Sequence, residues 1–144
     1  MEKYLRLFNV LPDDLFLNMW DDLRYWEASN YSWGEPGETP VFLGRKGADE
    51  LIFKEAQTIT KMKLQKHFEY HLESQRVHLN AACPMQHGSV FHRDFMEPEM
   101  LTFVLYTNPS WDAQWGGETV MRDHQGEMHY CPYIPNTGVL FPSN

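Results

Sequence analysis

The sequence predicts an α+β, mostly β chain forming a single domain over residues 1–144, with a helical front over 1–72 and a β-rich core over 73–144. Two observations predict it. In the first half, apolar residues recur at helical spacing in two stretches; after Glu73 they fall into short runs broken by closely spaced turn residues. Short strands with frequent turns make a sandwich or a barrel.

The elements follow in order. Leu5, Leu7, Phe8 and Val10 form a short apolar strand. Pro12-Asp13-Asp14 suits a helical first turn, where proline is tolerated and acids meet the positive end of the dipole. Phe16, Met19, Trp20, Leu23 and Trp26 then recur at helical spacing. From Ala28 to Gly47, Gly34, Pro36, Gly37, Pro40 and Gly44 mark a loop. A second helix is expected from Asp49 to Leu72, its apolar stripe running through Ile52, Ala56, Ile59, Met62 or Lys63, Leu64, Phe68 and Leu72.

Beyond Glu73, Arg76 to Ala82 predicts a strand, and Pro84 with Gly88 the turn after it. Val90 to Asp94 is the next extended piece. Leu101 to Tyr106 is apolar on both faces and is expected to be a central strand. Trp115-Gly116-Gly117-Glu118 is a turn whose glycines can take positive φ. Thr119–Arg122, Glu127–Cys131 and Val139–Phe141 complete the strands.

Composition narrows the function. With 42% apolar and 15% aromatic residues the chain is globular. A net charge of -8 leaves no basic face for a phosphate backbone, so no nucleic-acid partner is expected. No apolar run approaches the roughly 20 residues of a membrane span. Met1-Glu2-Lys3-Tyr4 does not lead into an apolar signal core, and Cys83 and Cys131 are too far apart for a Cys-x-x-Cys pair. They are expected to be free thiols in a cytoplasmic protein.

Seven histidines are the candidate metal ligands. His92-Arg93-Asp94 stands out, because side chains two apart on a strand share a face. A two-histidine, one-carboxylate iron site would need one further histidine; an ordinary His-x-Asp hydrogen bond at a strand end would need nothing more. His67 and His71 would share a helix face, but Glu69 is not placed as the zinc-protease motif requires, so a solvated face is expected. His78, His87, His124 and His129 show no convincing carboxylate partner. There is no nucleophile elbow, phosphate loop or dinucleotide fingerprint.

Four segments in order add to this reading: Asn80 to Gly88 leading into His92-Arg93-Asp94; Leu105-Tyr106-Thr107-Asn108; Trp115-Gly116-Gly117-Glu118-Thr119; and Pro135 to Phe141. In these the chain from Arg76 to Asn144 resembles the iron(II)/2-oxoglutarate oxygenases, in particular the prolyl-4-hydroxylase-like group. The resemblance implies a double-stranded β-helix with helices packed on one sheet. It implies that His92 and Asp94 bind Fe(II) and are the catalytic pair, and that Tyr106 hydrogen-bonds the far carboxylate of 2-oxoglutarate. Trp115 to Thr119 would be a structural turn, and Thr102 and Val104, in phase with Tyr106, would line the same pocket. Ascorbate would be the reductant. The reaction implied is hydroxylation of a peptidyl (including prolyl) or small-molecule C–H bond, with release of succinate and CO2.

The sequence departs from the family in two places. The distal histidine and the basic residue that pairs with the cosubstrate should follow the Gly138–Asn144 strand, and neither they nor the last two barrel strands are present. Ala81-Ala82-Cys83-Pro84 lacks the family's glycine and polar residues. The expectation is therefore a fragment cut before its last ligand, with little oxygenase activity of its own. The competing expectations are a non-catalytic binding module on the same fold, and a cupin-like metal protein, whose usual His-x-His is missing here.

Overall fold

The computed structural model describes residues 4–24, 31–32, 42–44, 51–75, 77, 79–81, 91, 93–94 and 96–143. In chain order its elements are β1 (Leu5–Leu7), α1 (Asp13–Arg24), β2 (Tyr31–Ser32), β3 (Phe42–Gly44), α2 (Leu51–Gln65), β4 (Leu79–Ala81), β5 (Leu101–Leu105), a short 3-10 turn (Ala113–Trp115), β6 (Thr119–Arg122), β7 (Met128–Cys131) and β8 (Gly138–Pro142). All strand pairs are antiparallel. The chain divides into two compact units, Leu11–Val90 and Met1–Val10 with Phe91–Asn144.

The Leu11–Val90 unit carries both helices. In α1 the apolar stripe lies where its spacing predicts: Leu15, Phe16, Met19 and Leu23 are buried, and Asp13 and Asp14 sit in the first turn. Trp26 of the expected stripe lies outside the described residues. In α2, Ala56 and Leu64 are buried while Met62 is 63% exposed, so the stripe passes Met62 by. The helix stops at Gln65 instead of running on to Leu72, for a reason visible in the Gln65 side chain. Its Nε2 donates to the carbonyls of Phe68 and Tyr70, and its Oε1 accepts from the Leu72 amide. The backbone groups that a continued helix would pair internally are held by this one amide instead. His67 and His71 accordingly lie beyond the helix, both exposed, and do not share a helical face. In the same unit β2, β3 and β4 form a small sheet.

The second unit pairs the chain's N-terminal strand with its C-terminal one. Its larger sheet has the order β1-β8-β5, and β6 and β7 form a hairpin. Among the described residues the expectation of a central β5 is corrected: β8 is central, with Gly138, Val139 and Leu140 buried, while β5 lies beside it with every residue half-buried. Strand order follows from pairing across the chain, which an apolar run does not encode. Opposed residues place Thr102, Val104 and Tyr106 on the same face as Phe141 and Val139. Tyr106, Cys131 and Val139 are the buried centre of this unit, packed by Tyr4, Val104, Met121, Tyr133 and Phe141.

Asn136, at φ 54, makes the turn into β8; its amide donates to Tyr106 O and its carbonyl accepts from Val10 N–H. Asparagine tolerates this left-handed conformation better than most side chains. Gly138 follows, and here a Cβ would come within 2.2 Å of the Phe103 ring.

Candidate functional site

Asp94 is the one predicted metal ligand among the described residues; His92 lies outside them. Phe91, Arg93 and Asp94 are not in a strand, so period-two alternation does not apply across the triplet. Another set of bonds positions Asp94. Its amide donates to Ser143 O at 3.1 Å, and Ser143 N–H in turn donates to Met100 O at 3.0 Å. Its carboxylate Oδ2 accepts from Thr102 Oγ1 at 2.7 Å, and Thr102 Oγ1 lies 2.8 Å from Ser143 Oγ. The half-buried carboxylate is thus tied to the face that β5 shares with β8.

Tyr106 stands further along that face, one residue beyond β5, and is 4% exposed. Its hydroxyl points inward, donating to the Cys131 carbonyl at 3.0 Å and accepting from Thr119 Oγ1 at 2.8 Å, since a carbonyl only accepts and a phenol has one proton to give. Burial pushes the phenol up to about 12, so it remains a neutral donor across the physiological range. Cys131 itself is a buried free thiol.

Beside Tyr106 an aromatic column runs outward. Tyr133 stacks on Tyr106 at 4.5 Å between centroids, Trp111 stacks on Tyr133 at 4.1 Å, and Trp115 meets Trp111 edge-on at 5.4 Å. Polar groups fix the column. Trp111 Nε1–H donates to Gly116 O, and Tyr133 Oη accepts from the Asn108 amide. Burial also raises the Tyr133 phenol. The Trp115–Glu118 turn behaves as its glycines predict, with Gly116 at φ 72 and Gly117 at φ 82. Gly117 is needed on a second count, since a Cβ there would sit 2.8 Å from the Trp111 ring.

The structure corrects the reading of His129. Its Nε2 lies 3.3 Å from Asp123 Oδ2, a carboxylate partner across the β6–β7 turn. Asp123, Glu127 and His129 bring metal-ligating atoms within 4.8 Å of one another. Asp123 Oδ1 meanwhile accepts from the amides of Gln125 and Glu127 and so closes the hairpin. The pairing of Arg122 with Met128 creates this meeting, and that register is the signal the sequence reading missed. Thr119 and Ser143, the partners of Tyr106 and Thr102, were also absent from it.

The donor types present suit a hard divalent cation: a carboxylate held on an inward face, with an imidazole two residues before it in sequence. No family model and no curated protein matches the chain by sequence. Its structure is similar to the crystal structure of a Pseudomonas putida prolyl-4-hydroxylase, with a TM-score of 0.68 and 18% identity over 98% of this chain and 80% of that one. The protein therefore has a mixed fold of helices and antiparallel sheets like that of a prolyl hydroxylase. Among the described residues no helix is long and apolar enough to cross a membrane.

Proposed function

We propose that the protein is an Fe(II)- and 2-oxoglutarate-dependent dioxygenase domain that hydroxylates a peptidyl, including prolyl, or small-molecule C–H bond in the cytoplasm. The observation that carries this reading is the Asp94 carboxylate, fastened by Thr102 to the face that also bears Tyr106, in a fold like that of a prolyl-4-hydroxylase. His92 and Asp94 would hold the iron, ascorbate would keep it reduced, and Tyr106 would donate a hydrogen bond to the far carboxylate of 2-oxoglutarate. When bound, the iron and keto acid supply the oxidation, releasing succinate and CO2; the protein orients the substrate and excludes side reactions.

One observation favours a second reading, a binding module without chemistry. The Tyr106 hydroxyl is already engaged by Thr119 and Cys131, so it would have to exchange one of these bonds for a cosubstrate.

Mn(II), a redox-silent stand-in for Fe(II), separates the two when binding is followed by electron paramagnetic resonance with and without 2-oxoglutarate. Binding that tightens with 2-oxoglutarate, and that weakens by at least about 10–100-fold in His92→Ala and Asp94→Ala, supports the dioxygenase. Binding that neither substitution touches would refute it.

A further inference from the structure

We infer that Thr102 is a positioning residue for Asp94, the middle member of a hydroxyl relay that runs from Ser143 through Thr102 to Asp94 Oδ2. The inference rests on the proposed metal role of Asp94 and goes beyond it in assigning what aims the carboxylate.

The direction of the relay follows from counting protons. A carboxylate only accepts, and a threonine hydroxyl has one proton to give. At 2.7 Å that proton belongs to Asp94 Oδ2. The 2.8 Å contact between Thr102 Oγ1 and Ser143 Oγ is then a bond in which Ser143 donates and Thr102 accepts. Ser143 is 4% exposed and fixed at both backbone groups, its carbonyl by the Asp94 amide and its amide by Met100 O. Backbone and side chain therefore hold Asp94 against the same residue. Successive hydroxyl bonds of this kind polarise one another, which strengthens the last bond to the carboxylate. The relay thus fixes the orientation that the carboxylate presents to a cation.

The test uses the whole chain and Mn(II) as the probe. Affinity is measured by electron paramagnetic resonance in Thr102→Val, Thr102→Ser, Ser143→Ala and Asp94→Ala, with thermal melting of each metal-free chain alongside. Valine keeps the shape of threonine and removes the proton. The expected result is Mn(II) affinity about 10-fold or more weaker in Thr102→Val, recovered in Thr102→Ser, and intermediate in Ser143→Ala. Wild-type affinity in Thr102→Val, with binding lost in Asp94→Ala, would overturn the relay and leave the metal reading standing. Equal losses in Thr102→Val and Thr102→Ser would also overturn it, because keeping the hydroxyl would then recover nothing and any change of packing at this position would suffice. Binding unchanged in Asp94→Ala would remove the metal reading and the relay together.

Discussion

Replacing Tyr106 with phenylalanine deletes a hydroxyl that is buried and doubly engaged, while keeping the ring that stacks on Tyr133. The two partners left behind differ. Thr119 is half-buried and can turn its hydroxyl elsewhere, whereas the Cys131 carbonyl belongs to a residue that is 1% exposed. Losing one buried partner costs about 1–2 kcal/mol, which for a domain of this size lowers the melting midpoint by roughly 3–8 °C. A second signature lies in alkali. The folded phenol is raised from 10.0 to about 12 by burial, so the neutral phenol's contribution to stability is fully present below pH 10. It is lost as pH rises toward about 12, because the unfolded chain ionises first. The ceiling on that loss is on the order of 3 kcal/mol. Urea unfolding of both chains from neutral pH into alkali measures it, and the raised Tyr133 phenol is common to both and cancels. Wild type should be the more stable chain at neutral pH, and its advantage should shrink as the pH passes 10. An advantage that is absent at neutral pH, or constant into alkali, would refute the reasoning.

Three further outcomes are expected. Gly138→Ala should destabilise the chain by about 1–3 kcal/mol, since its Cβ would lie 2.2 Å from the Phe103 ring, and Phe103→Leu should recover part of the loss in urea unfolding. Gly117→Ala meets both a φ of 82° and the Trp111 ring at 2.8 Å; it should alter the near-ultraviolet circular dichroism of the tryptophans and lower the melting temperature. Gln65→Ala frees the amide of Leu72, and hydrogen exchange at that amide should accelerate while the amides within α2 stay protected.

What the sequence conveyed well was local. The buried stripe of α1 is set by a 3.6-residue period, and the glycines at 116 and 117 are set by positive φ, both of which are written in neighbouring residues. The end of α2 was misjudged because the stop is a side chain folding forward from Gln65, with no proline or glycine to mark it. The central place of β8 depends on partners from opposite ends of the chain, so β5 looked central by composition alone. At the candidate site, Asp94 and Tyr106 stood out through the motifs around them. Ser143 did not, because its link to Thr102 spans 41 positions and involves two ordinary hydroxyls. His129 was set aside for a related reason: its carboxylate lies across a hairpin whose register had to be known first.

The pairing of β1 with β8 also constrains the order in which the protein can be made. Translation releases β1 well before its hydrogen-bonding partner, reached through Leu5 opposite Leu140, which follows more than a hundred residues later. Until then β1 offers an unsatisfied strand edge to its surroundings, the kind of edge that recruits other chains. Ring closure over so much sequence is also slow, because its entropy must be lost before any contact rewards it. The nascent chain can assemble α1 and α2 during that wait, since both helices lie between the two pieces of the β unit. Its most aggregation-prone interval should therefore be the one between the emergence of β1 and that of β8, and Arg6, in the middle of β1, puts a positive charge on that waiting strand.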